Sequence, residues 1–175
     1  TRNYYLYTTR HPPENNAHVD VRAHALSASR KPLIIVGDAP YAHRYIERLK
    51  GMSGPGVIFT GAIYGADYYA LQSNAWAYIQ ATEVGGSHPA LLEGMGYGNL
   101  VFANDTPENQ EVLSDTGYYY KKNDAGDLAR LLQETEGNEI LRTQKGESAH
   151  RRVGEHYDWE KVTDSYERLF SSALR

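Results

Sequence analysis

The 175-residue sequence predicts an α/β domain: a parallel six-stranded sheet flanked by helices, with a helical C-terminal tail. Three observations carry that prediction. Short runs such as Pro32 to Gly37 (PLIIVG) and Leu100 to Ala103 (LVFA) are apolar without alternation, the pattern of strands buried on both faces of a parallel sheet. A helical stretch follows each run, and the loops between are short, as right-handed crossovers require. Strand and helix alternate along the chain with no internal repeat and no low-complexity segment.

In chain order, Tyr4 to Thr9 (YYLYTT) is a short aromatic and β-branched strand. Arg10, His11, Pro12, Pro13 and Glu14 follow it, and the two prolines enforce a loop. Asn15 or Asn16 can cap the helix that runs to about Ala28. Pro32 to Gly37 is the second strand, and Asp38 is placed to cap the amphipathic helix Tyr41 to Lys50, which ends at Lys50-Gly51. The segment GDAP is not a dinucleotide fingerprint, because no G-x-G-x-x-G follows the strand. Gly54-Pro55-Gly56 turns into the strand Val57 to Thr60, and Gly61-Ala62-Ile63 comes next. Asp67 to Ser73 reads as a helix and Trp76 to Gln80 as a strand. Pro89 opens a further helix that leads to the strand Leu100 to Ala103. Thr106 reads as an N-cap with Pro107 at the first helical position. Gly117 to Lys121 closes the sheet, and Asp124 or Asp127 starts a helix through about Gln133. The tail is helical: Glu139 to Tyr157, then a segment whose Trp159, Val162, Tyr166, Leu169 and Phe170 form an apolar stripe.

The chemistry concentrates between Thr82 and Leu113. Gly85, Gly86, Ser87 and His88 precede Pro89, so the free N–H groups of Gly86, Ser87, His88 and Ala90 project from a helix start where the macrodipole favours negative charge. Such a tip suits phosphate. Glu93 sits about one turn further in, on roughly the face of Pro89. A carboxylate there repels phosphate but can accept two hydrogen bonds from a vicinal diol such as a ribose. Diphosphate at the tip with ribose one turn along is the layout of a nucleotide sugar. A plainer reading also holds: Glu is common in an early helical turn, and glycines often serve tight packing. The second helix start at Thr106-Pro107 faces the same sheet edge, where ligands of open α/β sheets bind.

These residues resemble the donor-binding motif of retaining glycosyltransferases of the large family 4 kind, which have the GT-B fold of two Rossmann-like halves. The resemblance runs from the opening strand to DWEKVTDSYERLF near the end. It implies that Glu93 holds the ribose, that the turn amides of Gly85 to His88 hold diphosphate and sugar, and that the main chain of Gly61, Ala62 and Ile63 meets the base. Arg10 matches an arginine gripping the diphosphate, and Asn15 stands where the family has lysine. The family's first glutamate stands eight positions before the second, where this chain has Gly85; Glu83, ten before, is the nearest acid and is carried over into its catalytic role. Thr106 enters with the second set of helix-start amides.

The implied division gives residues 1–157 to nucleotide-sugar binding. It gives residues 158–175 to a helix that packs on an N-terminal acceptor domain absent from this chain, although the stripe can equally cover the sheet locally. The chain opens at Thr1 directly into a strand and is expected to be a piece of something longer. The expected activity is transfer of a glycosyl group to an acceptor hydroxyl with retention, in bacterial polysaccharide or glycoconjugate synthesis. No cofactor and no metal are expected, and this half is expected to bind donor without turnover. A cytoplasmic setting, with the full-length enzyme peripheral to the inner membrane face, belongs to the same expectation. Two alternatives stay open: a non-catalytic sugar-nucleotide-binding domain, and half of a sugar-nucleotide epimerase, which needs no acceptor.

Composition bounds the rest. With 41% hydrophobic and 23% charged residues, the chain buries a core rather than staying disordered. A formal charge of −4 argues against nucleic-acid binding, which demands clustered Lys and Arg. Zero cysteines exclude disulfides and thiolate metal sites. The seven histidines are scattered without a paired spacing, and no Walker A, G-x-S-x-G or H-E-x-x-H motif occurs. No apolar run reaches the length of a membrane span.

Overall fold

The computed structural model describes residues 2–10 and 13–173; the predicted loop residues His11 and Pro12 lie outside them. Six strands, β1 (Tyr5–Thr8), β2 (Leu33–Val36), β3 (Val57–Gly61), β4 (Ala77–Gln80), β5 (Leu100–Asn104) and β6 (Tyr118–Tyr120), form one parallel sheet in the order β3-β2-β1-β4-β5-β6. The chain winds outward from β1 in one direction, then returns to the centre at β4 and winds outward in the other. The β1/β4 boundary is therefore the topological switch point, and its carboxyl edge opens a crevice.

The helices are α1 (Ala17–Ser27), α2 (His43–Met52), α3 (Gly65–Asn74), α4 (Pro89–Gly96), α5 (Pro107–Leu113), α6 (Ala125–Thr135), α7 (Glu139–His156) and α8 (Trp159–Ala173), with a short 3-10 turn at Pro13–Asn15. They cover both faces of the sheet. Tyr5 and Tyr7 point to one face with Leu33, Ile35 and Phe102 and pack against α1 and α6; Leu6, Tyr78 and Val101 point to the other and pack against α4, α5 and α7. Every residue of β4 and β5 is buried, which explains the unbroken apolar run Leu100 to Ala103. Burying two faces of a sheet this way is the main stabilising term, at about 25 cal/mol for each Å² of apolar surface removed from water. Trp76 anchors one face, fully buried and edge-on to Tyr5 at 5.6 Å between ring centroids.

Local chemistry starts most helices. Pro89 and Pro107 occupy first-turn positions, and the Thr106 hydroxyl accepts the Asn109 N–H, as expected of an N-cap. Asp124, rather than Asp127, caps α6 by accepting from Gly126 and Asp127. Two expected caps are corrected. Asn16 does occupy the N-cap position of α1, but in a left-handed conformation with no capping bond. Its amide donates instead to Ala81 O and Asn123 Oδ1, so it clamps neighbouring loops. Asp38 accepts from the adjacent Ala39 N–H at 2.7 Å, and α2 starts five residues later, after a turn closed by Ala42 N–H to Ala39 O. That helix also runs on past Lys50-Gly51 to Met52.

The tail resolves one open alternative. No residue of α8 is buried, and Trp159, Val162, Tyr166, Leu169 and Phe170 are all exposed. The stripe does not cover this sheet. Among the described residues no helix is long and apolar enough to cross a membrane.

Candidate functional site

A cavity of about 770 Å³ opens at the carboxyl edge of the sheet, over the β1/β4 switch point. Its walls come from the ends of β1, β2 and β4, the turn after β3, and the starts of α3 and α4. The volume suits a ligand of nucleotide size.

One glycine sets the shape of the floor. Gly37 ends β2 with φ +130°, and a Cβ built there would lie 1.7 Å from Thr9 O, so only glycine lets the two loops meet. The Gly37 N–H donates to Gly61 O at 2.8 Å, tying the third loop to the second. Gly61, at φ +72°, then directs Ala62 and Ile63 onto the wall beside Tyr64 and Tyr69.

The anion-binding features lie on the α1 and α4 sides. Arg10 leaves the end of β1, is exposed, lines the cavity, and holds no ion pair among the described residues. Asn15, which stands where a lysine was looked for, donates to Thr9 Oγ1 and to Arg10 O, and so braces the arginine's backbone rather than adding a charge. Across the cavity, the N–H groups of Gly85, Gly86, Ser87, His88 and Ala90 donate to nothing among the described residues. Gly85 stacks against the His88 ring, its hypothetical Cβ 2.6 Å from Cε1. His88 itself holds φ 46°, an uncommon value that turns the chain into α4. Desolvation pushes its pKa down while the Glu108 carboxylate pulls it up, so the neutral ring prevails at neutral pH.

Glu93 lines the cavity one turn inside α4, as expected. Its Oε2 accepts the Tyr68 hydroxyl proton, and Gln72 Nε2 donates to the Tyr68 oxygen at 2.9 Å. Thr8 Oγ1, also on the wall, is buried without a hydrogen-bond partner among the described residues.

The structure brings together Arg10, Ala62, Ile63, Gly85, His88 and Glu93 around one cavity, with Gly86 and Ser87 in the same turn as Gly85 and His88. It does not bring Glu83 or Thr106 there. Glu83 accepts from Lys122 Nζ at 2.6 Å and from Asn123 Nδ2 at 2.8 Å, which hold its carboxyl down at about 2. The buried Thr106 hydroxyl is spent on its cap. Sequence reasoning missed Tyr68, Gln72, Gly37 and Lys122. Tyr68 and Gln72 share a helix face at a four-residue spacing, but nothing local links them to Glu93. Among the described residues no cluster of three or more His, Asp and Glu is gathered as metal ligands would be.

Comparison with known proteins fits this geometry. A family model described as "Glycosyl transferases group 1" matches residues 2–136. The chain is 28% identical over 132 residues to an uncharacterized glycosyltransferase of Methanocaldococcus jannaschii, an alignment covering 71% of this chain and 34% of that protein. Among solved structures it is similar to a glycosyltransferase of Rickettsia africae, with TM-score 0.88 and 18% identity over 100% of this chain and 48% of the other. It is also similar to Anabaena HepE in complex with UDP-glucose, with TM-score 0.86 and 16% identity over 97% and 49%. The chain thus spans about a third of the curated relative and about half of each solved chain, so its fold is one half of a GT-B fold.

Proposed function

The chain belongs to the glycosyl transferases group 1 family, and from that premise we propose that it is the donor-binding half of a retaining, metal-independent glycosyltransferase. The observation that supports this most is the cavity itself, lined by the Glu93 carboxylate, by an Arg10 that holds no ion pair among the described residues, and by the Gly85 to Ala90 turn, whose amides donate to nothing among them. A nucleoside diphosphate sugar matches that lining piece by piece. Its diphosphate meets the amides and Arg10, its ribose meets Glu93, and its base reaches the Ala62-Ile63 turn.

In the reaction the bond between the anomeric carbon and the diphosphate oxygen breaks, and negative charge grows on the departing nucleotide. Preorganised N–H groups, the α4 dipole and Arg10 stabilise that charge without reorganising. The acceptor hydroxyl and the groups that orient it come from an N-terminal domain, for which the exposed α8 stripe is the contact. Polysaccharide or glycoconjugate assembly on the cytoplasmic side, with the whole enzyme peripheral to the inner membrane face, is the setting proposed.

Calorimetric titration with UDP, GDP, ADP and dTDP tests the reading. UDP comes first because the Anabaena neighbour was solved with UDP-glucose. One nucleotide is expected to bind, and Arg10→Ala and Glu93→Ala each to weaken it about tenfold or more. Failure of all four to bind both this chain and a longer protein carrying the N-terminal domain overturns the assignment. A second reading, a sugar-nucleotide-binding domain without turnover, is favoured by the Glu83–Lys122 pair and by Asn15 at a lysine position. It predicts nucleotide binding but no transfer by the longer protein.

A further inference from the structure

Glu93 is held in place by its neighbours on the cavity wall. The Tyr68 hydroxyl donates to Oε2, and that hydroxyl has a single proton to give. Its oxygen accepts from Gln72 Nε2 at 2.9 Å, and Gln72 is itself fully buried between α3 and α4, with its backbone carbonyl accepting from Asn99 Nδ2 at 2.8 Å. The phenol is thus fixed from behind by a buried amide and aimed at the carboxylate. Burial raises the Tyr68 pKa, and the bond to Glu93 raises it further, so the phenol stays a donor at any working pH. The other carboxylate oxygen, Oε1, has no hydrogen-bond partner among the described residues, and Glu93 lines the cavity.

We propose that Tyr68 is the positioning residue that makes this site read a ribose: by holding Oε2 it presents Oε1 to the sugar hydroxyls in one fixed orientation. The inference rests on the reading of Glu93 as the ribose ligand and adds the device that gives it selectivity. An unheld glutamate must freeze its rotamers on binding and can turn out to water, which erodes the difference between a sugar with two hydroxyls and one lacking a hydroxyl. A preset carboxylate makes that difference in full, because a missing hydroxyl leaves a desolvated oxygen unmatched. Gln72 acts through Tyr68, one step further back.

The test compares UDP with 2′-deoxy-UDP and 3′-deoxy-UDP by calorimetry on the full chain, with the ADP and GDP series run alongside. The proteins are wild type, Tyr68→Phe and Gln72→Met. Wild type is expected to prefer the ribonucleotide over at least one deoxy analogue by about tenfold or more. Tyr68→Phe is expected to lower that ratio severalfold at an unchanged melting temperature, and Gln72→Met to lower it less. A change in overall affinity alone would mark a structural role, whereas the ratio reports how Glu93 is presented. An unchanged ratio in Tyr68→Phe overturns the proposal and leaves the donor reading standing; a wild type blind to both missing hydroxyls overturns the proposal together with the assignment of the ribose to Glu93, while nucleotide binding by this half still stands. If Tyr68→Phe does not fold, the ratio for Gln72→Met decides in the same two directions. If no nucleoside diphosphate binds the wild-type chain or the longer protein, the donor reading fails and this inference falls with it.

Discussion

Lys122 Nζ lies 2.6 Å from Glu83 Oε1, and the neighbouring Asn123 amide donates to the other carboxylate oxygen at 2.8 Å. The pair is set by a buried clamp in which Asn16 and Asn104 both donate to Asn123 Oδ1 and to Ala81 O. Three loops, after β1, β5 and β6, thereby converge on the strand end that leads to the Gly85 turn. Glu83 is drawn toward β6 and away from the cavity wall, contrary to the catalytic role expected of it.

This pair predicts an NMR titration. The hydrogen bond from Lys122 holds the Glu83 carboxyl at about 2, with Asn123 assisting, against an ordinary value of 4.5. The stability it lends is full above the ordinary value and is lost as pH falls toward 2. In Lys122→Ala the Glu83 midpoint should rise toward the ordinary value, with little change in global stability, since exposed pairs contribute little. A midpoint that stays put means the pair does not form in solution.

Gly37→Ala should cost about 3 kcal/mol or more in urea denaturation, because the new methyl meets the Thr9 carbonyl at a φ of +130°. Gly86→Ala is its contrast: no atom lies within 4 Å of the added carbon and its φ is not left-handed, so stability should change by less than about 0.5 kcal/mol. Equal losses in both would mean that the loop contact at Thr9 is not what fixes the crevice floor.

The buried Asp20 predicts a pH dependence of opposite sign to that of Glu83. Both carboxyl oxygens are buried without hydrogen-bond partners among the described residues, and burial pushes the pKa well above the usual 3.8. Between the ordinary and the raised value the folded protein keeps a proton that the unfolded chain has released, so stability falls as pH rises through that window. Asp20→Asn should flatten the decline and gain about 1 kcal/mol or more at neutral pH. Denaturation of both proteins at about pH 5 and about pH 8 reads the difference; a variant that loses stability at neutral pH would show that Asp20 has a partner it needs.

How far the sequence reached follows from the range of each interaction. Thr106 was readable as a cap, Asp124 as one of two candidates for one, and Pro89 and Pro107 as helix starts, because their chemistry is settled within three or four residues. The carboxyl edge of the sheet was readable as the ligand-binding edge because alternating strands and helices imply an open parallel sheet, whereas the strand order that puts the cavity at β1/β4 was not. Asp38 misled because the turn at Ala39 to Ala42 uses up the chain that a cap would need. Asn16 misled because its side chain reaches residue 123 rather than its own helix. Tyr68 with Glu93 and Lys122 with Glu83 join different elements, and no local pattern encodes such pairs. The site was therefore legible where one loop forms it and hidden where two elements meet.

The helix α8 contributes no buried residue to the core. A 15-residue helix with no buried residue has no tertiary packing to hold it, and isolated helices of that length are marginal in water. Deleting the chain from Trp159 onward should therefore shift the melting temperature by no more than about 3 °C. The two tryptophans give an independent readout, since Trp76 is fully buried and Trp159 is 81% exposed. Iodide should quench a red-shifted component in the wild type that the truncation lacks, leaving the protected emission of Trp76. In a longer protein with the N-terminal domain, the same component should become protected, because a stripe of Trp159, Val162, Tyr166, Leu169 and Phe170 is a large apolar surface to leave in water. Protection of Trp159 already in this chain, or a fall of tens of degrees on truncation, would place the stripe on a surface of this domain and remove it as the contact for another.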